Sequence, residues 1–115
     1  MRQTAGTTPD SSAMQPLGHL DYEQTLALLQ SWLGQGVLVS FFDDERDVRR
    51  RGILLRAGVS RVGTPAEAVA FFVSGHDGPA FALERALFDV GHHFTWEGQR
   101  ALIIKHDRDY TLVIA

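Results

Sequence analysis

The sequence contains no cysteine. This absence excludes disulfide bonds, thiolate metal sites and cysteine nucleophiles. Only Lys105 is a lysine, and the formal net charge is -3, so bulk attraction to nucleic acid or anionic lipid is not expected. No apolar run approaches the roughly 18 residues of a membrane helix, and the first residues lack the apolar segment of a secretory signal. These absences predict a cytoplasmic protein with no membrane part.

Sequence motifs for catalysis and cofactor binding are also missing. The chain has no GxSxG, GxxxxGK[ST] or HExxH, and no GxGxxG that opens a helix after a strand. We therefore predict no catalytic residues, no metal ligands and no cofactor. Three histidine-containing pairs, at 76–77, 92–93 and 106–107, leave a small metal-binding or enzymatic barrel as an alternative, provided that they converge in space.

The 115 residues, 44% of them apolar and 22% charged, are typical of one globular domain. Residues 1–18 are rich in Thr, Ser, Pro, Gly and Gln, which cannot bury enough apolar surface to offset the entropy of ordering. We predict a disordered tail at 1–18 and a single domain at 19–115.

The stretch DYEQTLALLQSWLGQG predicts a helix. Asp21 is the expected N-cap, and Gln24 three residues later fits a capping box. Leu26, Leu29 and Leu33 share one helical face, and glycines 34 and 36 favour an end to the helix there. Trp32, near this end, is interpreted as a core residue.

After the predicted helix, the apolar pattern changes to the period of a strand. Val37, Val39 and Phe41 point to one face and Phe42 to the other. A charged hairpin follows, then a long strand from about residue 50 in which glycines 52 and 58 indicate a bulge or sharp bend. The segment AEAVAFFVSG predicts a further strand, in which Phe72 opposes Phe71.

The segment at 79–90 is ambiguous, and its Pro79, its later glycine and its lack of β-branched residues favour a short helix over a strand. The last 23 residues predict a three-stranded meander with turns at Glu97–Gly98 and at 106–109. The fold class is therefore α+β, mainly β. An N-terminal helix caps a strongly bent antiparallel sheet of about six strands, a small barrel or roll.

The order of elements from Leu28 to Leu55, LLQSWLGQGVLVSFFDDERDVRRRGILL, resembles that of Sm-like and SH3-like small barrels. Those proteins begin with a short helix, a strand, a charged hairpin and a long bent strand that holds a glycine. The resemblance implies a small barrel, assembly into rings and RNA binding through loop residues. It carries over no binding residue to this chain.

The predicted function is a non-catalytic binding domain that associates with itself or with a protein partner. One phenylalanine of each doublet must face away from the core and would mark an interface. A nucleic-acid-binding small barrel is the alternative, in which an arginine stripe holds phosphates. The candidate binding residues are Arg49, Arg51, Arg56, Arg61, Phe42 and Phe72.

Overall fold

The computed structural model describes residues 14–43 and 45–115, except for the side chain of Ala57. In this part the chain forms one helix and eight strands. In chain order they are β1 (Met14–Leu20), α1 (Tyr22–Ser31), β2 (Gly36–Phe42), β3 (Asp47–Ser60), β4 (Ala68–Val73), β5 (Phe81–Glu84), β6 (Phe88–Trp96), β7 (Gln99–His106) and β8 (Asp109–Ile114).

The strands form one antiparallel sheet in the order β1-β6-β7-β8-β2-β3-β4-β5. The prediction of a mainly β fold with an N-terminal helix is confirmed for the described residues. Of the predicted barrel or roll, the barrel is wrong, because β1 and β5 are edge strands that do not pair with each other. A physical reason is that β5 has four residues, and the Glu84 N–H at its end donates to the His106 side chain, at 3.2 Å, instead of to a strand.

The helix prediction is confirmed, including its first turn. Asp21 accepts a hydrogen bond from the Gln24 N–H at 2.8 Å, and the Gln24 side chain accepts one from the Asp21 N–H at 2.9 Å. Each bond satisfies a backbone donor that the helix itself leaves free. Trp32 caps the other end and is buried, as predicted. Within the described residues, no helix has the length and apolar character needed to cross a membrane.

The prediction of a helix at 79–90 is wrong. Phe81–Glu84 is strand β5 and Phe88 begins β6. Phe81 and Leu83 are buried, opposite Phe71 and Val69 of β4. The pairing with β4 decides the structure, since alternate apolar residues match the two-residue period of a strand. Within the described residues, this segment and β1 raise the number of strands from the predicted value of about six to eight.

Strand β1 lies partly in the predicted tail. Residues 14–18 pair with β6, and the predicted tail at 1–13 lies outside the described residues. Six of the seven β1 residues are exposed. Backbone hydrogen bonds therefore hold β1 in the sheet, and no apolar pattern in the sequence indicates this strand. The C-terminal meander is confirmed, and the N–H of Ala115 donates to the carbonyl of Arg100 at 2.9 Å.

Strand β3 joins the two halves of the sheet. Its first half pairs with β2 and its second half with β4. The register shifts between Arg56 and Gly58, which confirms the predicted bulge. The residue after β4, Ser74, lies very close to Gly52. A Cβ added to Gly52 would be 2.6 Å from the Ser74 carbonyl oxygen. Glycine is therefore required where the two halves meet.

The core lies between α1 and one face of the sheet, here called the inner face. Helix α1 packs closely on β6, where the Thr25 hydroxyl would be 2.4 Å from a Cβ on Gly91. Burial is complete or nearly so for residues from six strands and the helix. The largest are Trp32, Phe71, Leu29, Leu54, Leu83, Leu102 and Ile104.

Candidate functional site

The opposite face of the sheet, here called the outer face, is also apolar. Residues aligned across β2, β8, β7 and β6 form two rows, because directly paired residues point to the same side. The first row is Leu38, Ile114, Ala101 and Phe94, and the second is Ser40, Leu112, Ile103 and His92.

The apolar surface continues along β3. Ile53 and Leu55 are 40% and 45% exposed, whereas Leu54 between them is fully buried. Leu55 pairs with Phe72 of β4, which places Phe72 on the outer face. Within the rows Ala101 and Phe94 are buried and the other apolar members are partly buried, so the exposed apolar area of this face comes from Ile53, Leu55 and the aromatic side chains at the ends of the rows. This exposed apolar surface fits an interaction site better than a folding core.

The predicted binding residue Phe42 also lies on the outer face. Its ring stacks on Tyr110 of β8, with centroids 5.5 Å apart, and both side chains remain more than one third exposed. Trp96 is 44% exposed at the end of β6. Aromatic side chains therefore lie at two ends of the apolar rows. The structure places Phe42 and Phe72 on one face of one sheet, as the strand alternation predicted.

Two of the predicted arginines border the apolar rows. Arg51 pairs with Leu38, and Arg49 pairs with Ser40 on the same face. Arg49 lies 3.8 Å from Asp47, and both side chains are largely exposed. An ion pair this exposed contributes little to stability. Both guanidinium groups are accordingly available at the margin of the outer face.

The other predicted arginines do not join this margin. Arg56 is exposed at the bulge of β3, and Arg61 lies beyond the end of β3 in a turn, with φ +52°. Arg50 points to the inner side, where its guanidinium donates to the carbonyls of Asp77, Gly78 and Pro79 at 3.2–3.5 Å. The arginine stripe is thus divided between the two faces and the two ends of β3.

The charged segment after β2 forms the predicted hairpin. Asp43 accepts hydrogen bonds from the N–H groups of Glu45 and Arg46, both at 2.8 Å. These backbone donors hold the pKa of Asp43 below its ordinary value. Arg46 also pairs with Asp43 at 3.5 Å. Asp43 and Arg46 therefore pair within the turn, and the arginines available for a ligand are those on β3.

The outer face contains a shallow recess of about 380 Å³. Its lining includes the apolar Leu38, Ile53 and Ile114 and the polar Arg51 and Gln99. Protein interaction sites combine apolar residues with polar ones, and arginine is enriched in them.

A second, polar cleft of about 260 Å³ lies between the β2–β3 hairpin and β5. Arg46, Arg50 and His106 line it, but each already has a partner within the chain. Arg46 also lies over the Phe41 ring, 5.3 Å from its centroid. A ligand in this cleft would have to displace these contacts, so the outer face is the stronger candidate.

No pattern in the sequence predicts the partly buried polar network at the start of α1. Glu67 accepts a hydrogen bond from the Tyr22 hydroxyl at 2.7 Å and one from the Gly63 N–H at 2.8 Å. Arg85 bridges Glu67 and Glu23. The Gly63 and Tyr22 donors lower the pKa of Glu67, and burial together with the Glu67 carboxylate raises that of Tyr22. All four side chains and the Gly63 N–H of this network have partners within it, so we interpret the network as one that stabilises the start of α1.

The histidine pairs predicted as possible metal ligands do not converge. His76 lies near the Arg51 carbonyl, and His106 accepts from Glu84 N–H on the inner side. His92 and His93 point to opposite faces of β6, since His93 packs near Trp32 and His92 near His19. In the described ranges, no three His, Asp or Glu side chains come together to hold a metal ion.

Two of these histidines make the fold sensitive to acid. Burial lowers the pKa of His106 and of His93, so the folded protein keeps both rings neutral below the ordinary value near 6.5. The unfolded chain then binds more protons, and stability falls as the pH drops from about 7 towards 5. Urea unfolding at several pH values is expected to show this slope.

The substitution His106→Gln tests this pH dependence. Glutamine cannot titrate, but its carbonyl can still accept the Glu84 N–H. We expect a shallower loss of the urea midpoint between pH 7 and 5 than in the native chain. His76→Gln, at an exposed loop position, is the control and should leave the slope unchanged. An equal slope in His106→Gln and the native chain would contradict the assignment.

No family model, curated protein or solved structure matches this chain. The resemblance to Sm-like and SH3-like barrels therefore stays a prediction, and the site has to be interpreted from its own residues.

Proposed function

We propose that this chain is a non-catalytic binding domain that associates with a second copy of itself through the outer face. One observation carries the proposal. The sheet is apolar on both faces. Within the described residues, α1 and the core packed against it cover only the inner face. On the outer face Ile53, Leu55 and Phe42 are each at least 36% exposed, and a partner that covered them would gain roughly 25 cal/mol for each Å² of apolar surface buried.

The composition of the outer face supports a protein partner. Interfaces are enriched in aromatic residues and arginine. Phe42, Tyr110 and Trp96 lie at the ends of the apolar rows, and Arg49 and Arg51 lie at the margin. No single charge sign dominates the centre, which favours contact between apolar surfaces over attraction to a polyanion.

A second copy is the occupant that fits these rows best. Sheet faces pack on one another at about 10 Å with interdigitated side chains. In a two-fold pair each copy covers the apolar rows of the other. We also infer that the open sheet curls as a roll. Supporting this, Glu84 of β5 reaches His106 of β7 across four intervening strands, which leaves the outer face on the convex side.

Sedimentation equilibrium at micromolar concentration tests this proposal. The native chain is expected to show twice the 12.8 kDa of one chain. Ile53→Asp should raise the dissociation constant about tenfold or more, since it places a charge in the apolar recess. Circular dichroism and thermal unfolding should show that the variant remains folded, because Ile53 is 40% exposed.

Val62→Asp is the matched control. Val62 is 69% exposed in the turn after β3, away from the outer rows, so this variant should dimerise like the native chain. A native chain that sediments as a monomer would overturn the proposal. Equal weakening by both substitutions would show that the contact lies elsewhere.

The nucleic-acid alternative stays a prediction. Arg49 and Arg51 share a face, but Arg50 lies on the other face and the Arg61 turn lies at the far end of β3. Phosphate binding along a continuous groove would need these charges together.

A further inference from the structure

Two histidine side chains meet where β1 pairs with β6. His19 and His92 are directly opposed across the strands, and their ring centroids are 4.6 Å apart with an angle of 89° between the planes. His19 is exposed and His92 is half-buried. Both rings are therefore within reach of a solute.

The spacing of these rings suits a shared metal ion. Two imidazoles that bind one ion at about 2.0–2.1 Å hold their ring centroids about 4.5–5.2 Å apart, for nitrogen–metal–nitrogen angles of about 90–109°. The separation of 4.6 Å lies within this range. The exposed His19 ring can turn about its broad χ2 well to direct a nitrogen at the same point as His92.

The surroundings of the pair favour one class of ion. The two rings lie in a recess of about 330 Å³, whose other walls include Pro16, Phe94 and Ile103. Among the described residues that line it there is no carboxylate. Calcium and magnesium prefer oxygen ligands, whereas imidazole suits zinc, copper and nickel.

We propose that His19 and His92 form a two-histidine chelating site for a divalent late transition-metal ion, that is, Zn²⁺, Cu²⁺ or Ni²⁺. His93 also lines the recess, but its ring packs near Trp32 on the other face, and among the described residues no third His, Asp or Glu joins the pair as a ligand. The remaining coordination positions of the ion are open to water or to a further ligand. Both donors belong to one chain, so a second copy is not needed to form the site, although His92 also belongs to the outer rows that the proposed dimer covers.

Isothermal titration of the full chain with Zn²⁺ tests the site, together with NMR of the imidazole nitrogens. We expect one ion per chain and shifted resonances for His19 and His92. His19→Ala and His92→Ala should each lower the affinity about tenfold or more. The double variant should bind no more weakly than either single variant, because each single substitution already removes chelation by two imidazoles.

His76→Ala is the control, because His76 is an exposed histidine on a separate loop. It should bind Zn²⁺ as the native chain does. The proposal is overturned if either single variant at 19 or 92 keeps the native affinity, or if His76→Ala loses as much. It is also overturned if Zn²⁺ leaves the two imidazole resonances unmoved, since the ring pair is then only an aromatic contact.

Discussion

Replacing Phe71 by alanine is expected to lower the free energy of unfolding by about 3–5 kcal/mol. Phe71 is fully buried in β4, and its ring stacks on that of Phe81 with centroids 5.0 Å apart. Truncation removes this apolar contact and leaves a cavity that the neighbours fill only in part. Urea unfolding followed by tryptophan fluorescence measures the loss, because Trp32 is buried in the same core.

The adjacent residue provides a matched control. Phe72 has the same side chain but lies half-buried on the outer face, opposite Leu55. We expect Phe72→Ala to destabilise the protein by less than half as much as Phe71→Ala. Equal losses at the two positions would contradict the assignment of the inner and outer faces.

The substitution Gly52→Ala is expected to destabilise the protein by about 2–3 kcal/mol. A Cβ at this position would lie 2.6 Å from the Ser74 carbonyl oxygen and 2.8 Å from a Val73 methyl group. The first contact is with backbone. Ser74 also exchanges two hydrogen bonds with Ile53, at 2.8 and 2.9 Å, so it cannot retreat without breaking them. Thermal unfolding measures the effect.

Gly58→Ala is the control in the same strand. A Cβ there meets no atom within 4 Å, and the backbone does not adopt positive φ. Alanine should be neutral or slightly stabilising, since it restricts the unfolded chain. A tolerant Gly52→Ala would show that the two halves of the sheet are not held together at this residue.

Where a local pattern decided the structure, the sequence predicted it. The capping box at Asp21 and the turn at Glu97–Gly98 depend on residues within one turn of each other. The alternation of Val69, Phe71 and Val73 likewise reports the buried face of β4 directly. In each case the favourable interaction is local, or the burial repeats at the period of the element.

The segment at 79–90 shows where this reasoning fails. Its composition favours a helix, and β5 within it is a four-residue strand. It forms because β4 offers an unpaired edge, and because Val69 and Phe71 provide a surface for Leu83 and Phe81. That edge comes from a different part of the chain, so tertiary context overrides local preference.

The same limit applies to side chains that meet across the fold. Tyr22 and Glu67 are 45 residues apart in the sequence but share a hydrogen bond of 2.7 Å. His19 and His92 pair because β1, which lies mostly in the segment 1–18 expected to be a tail, adds to the edge of β6. Neither pair has a spacing that a sequence pattern could reveal.

By itself the sequence determined the capped N-terminal helix and a series of strands with apolar residues on both sides. It also determined that Phe42 and Phe72 face away from Phe41 and Phe71, because neighbours in a strand alternate. The tertiary structure decided which side α1 covers, where the sheet stays open and which arginines share a face. These outcomes depend on strand order and on a close approach at Gly52, which arise from contacts between distant segments.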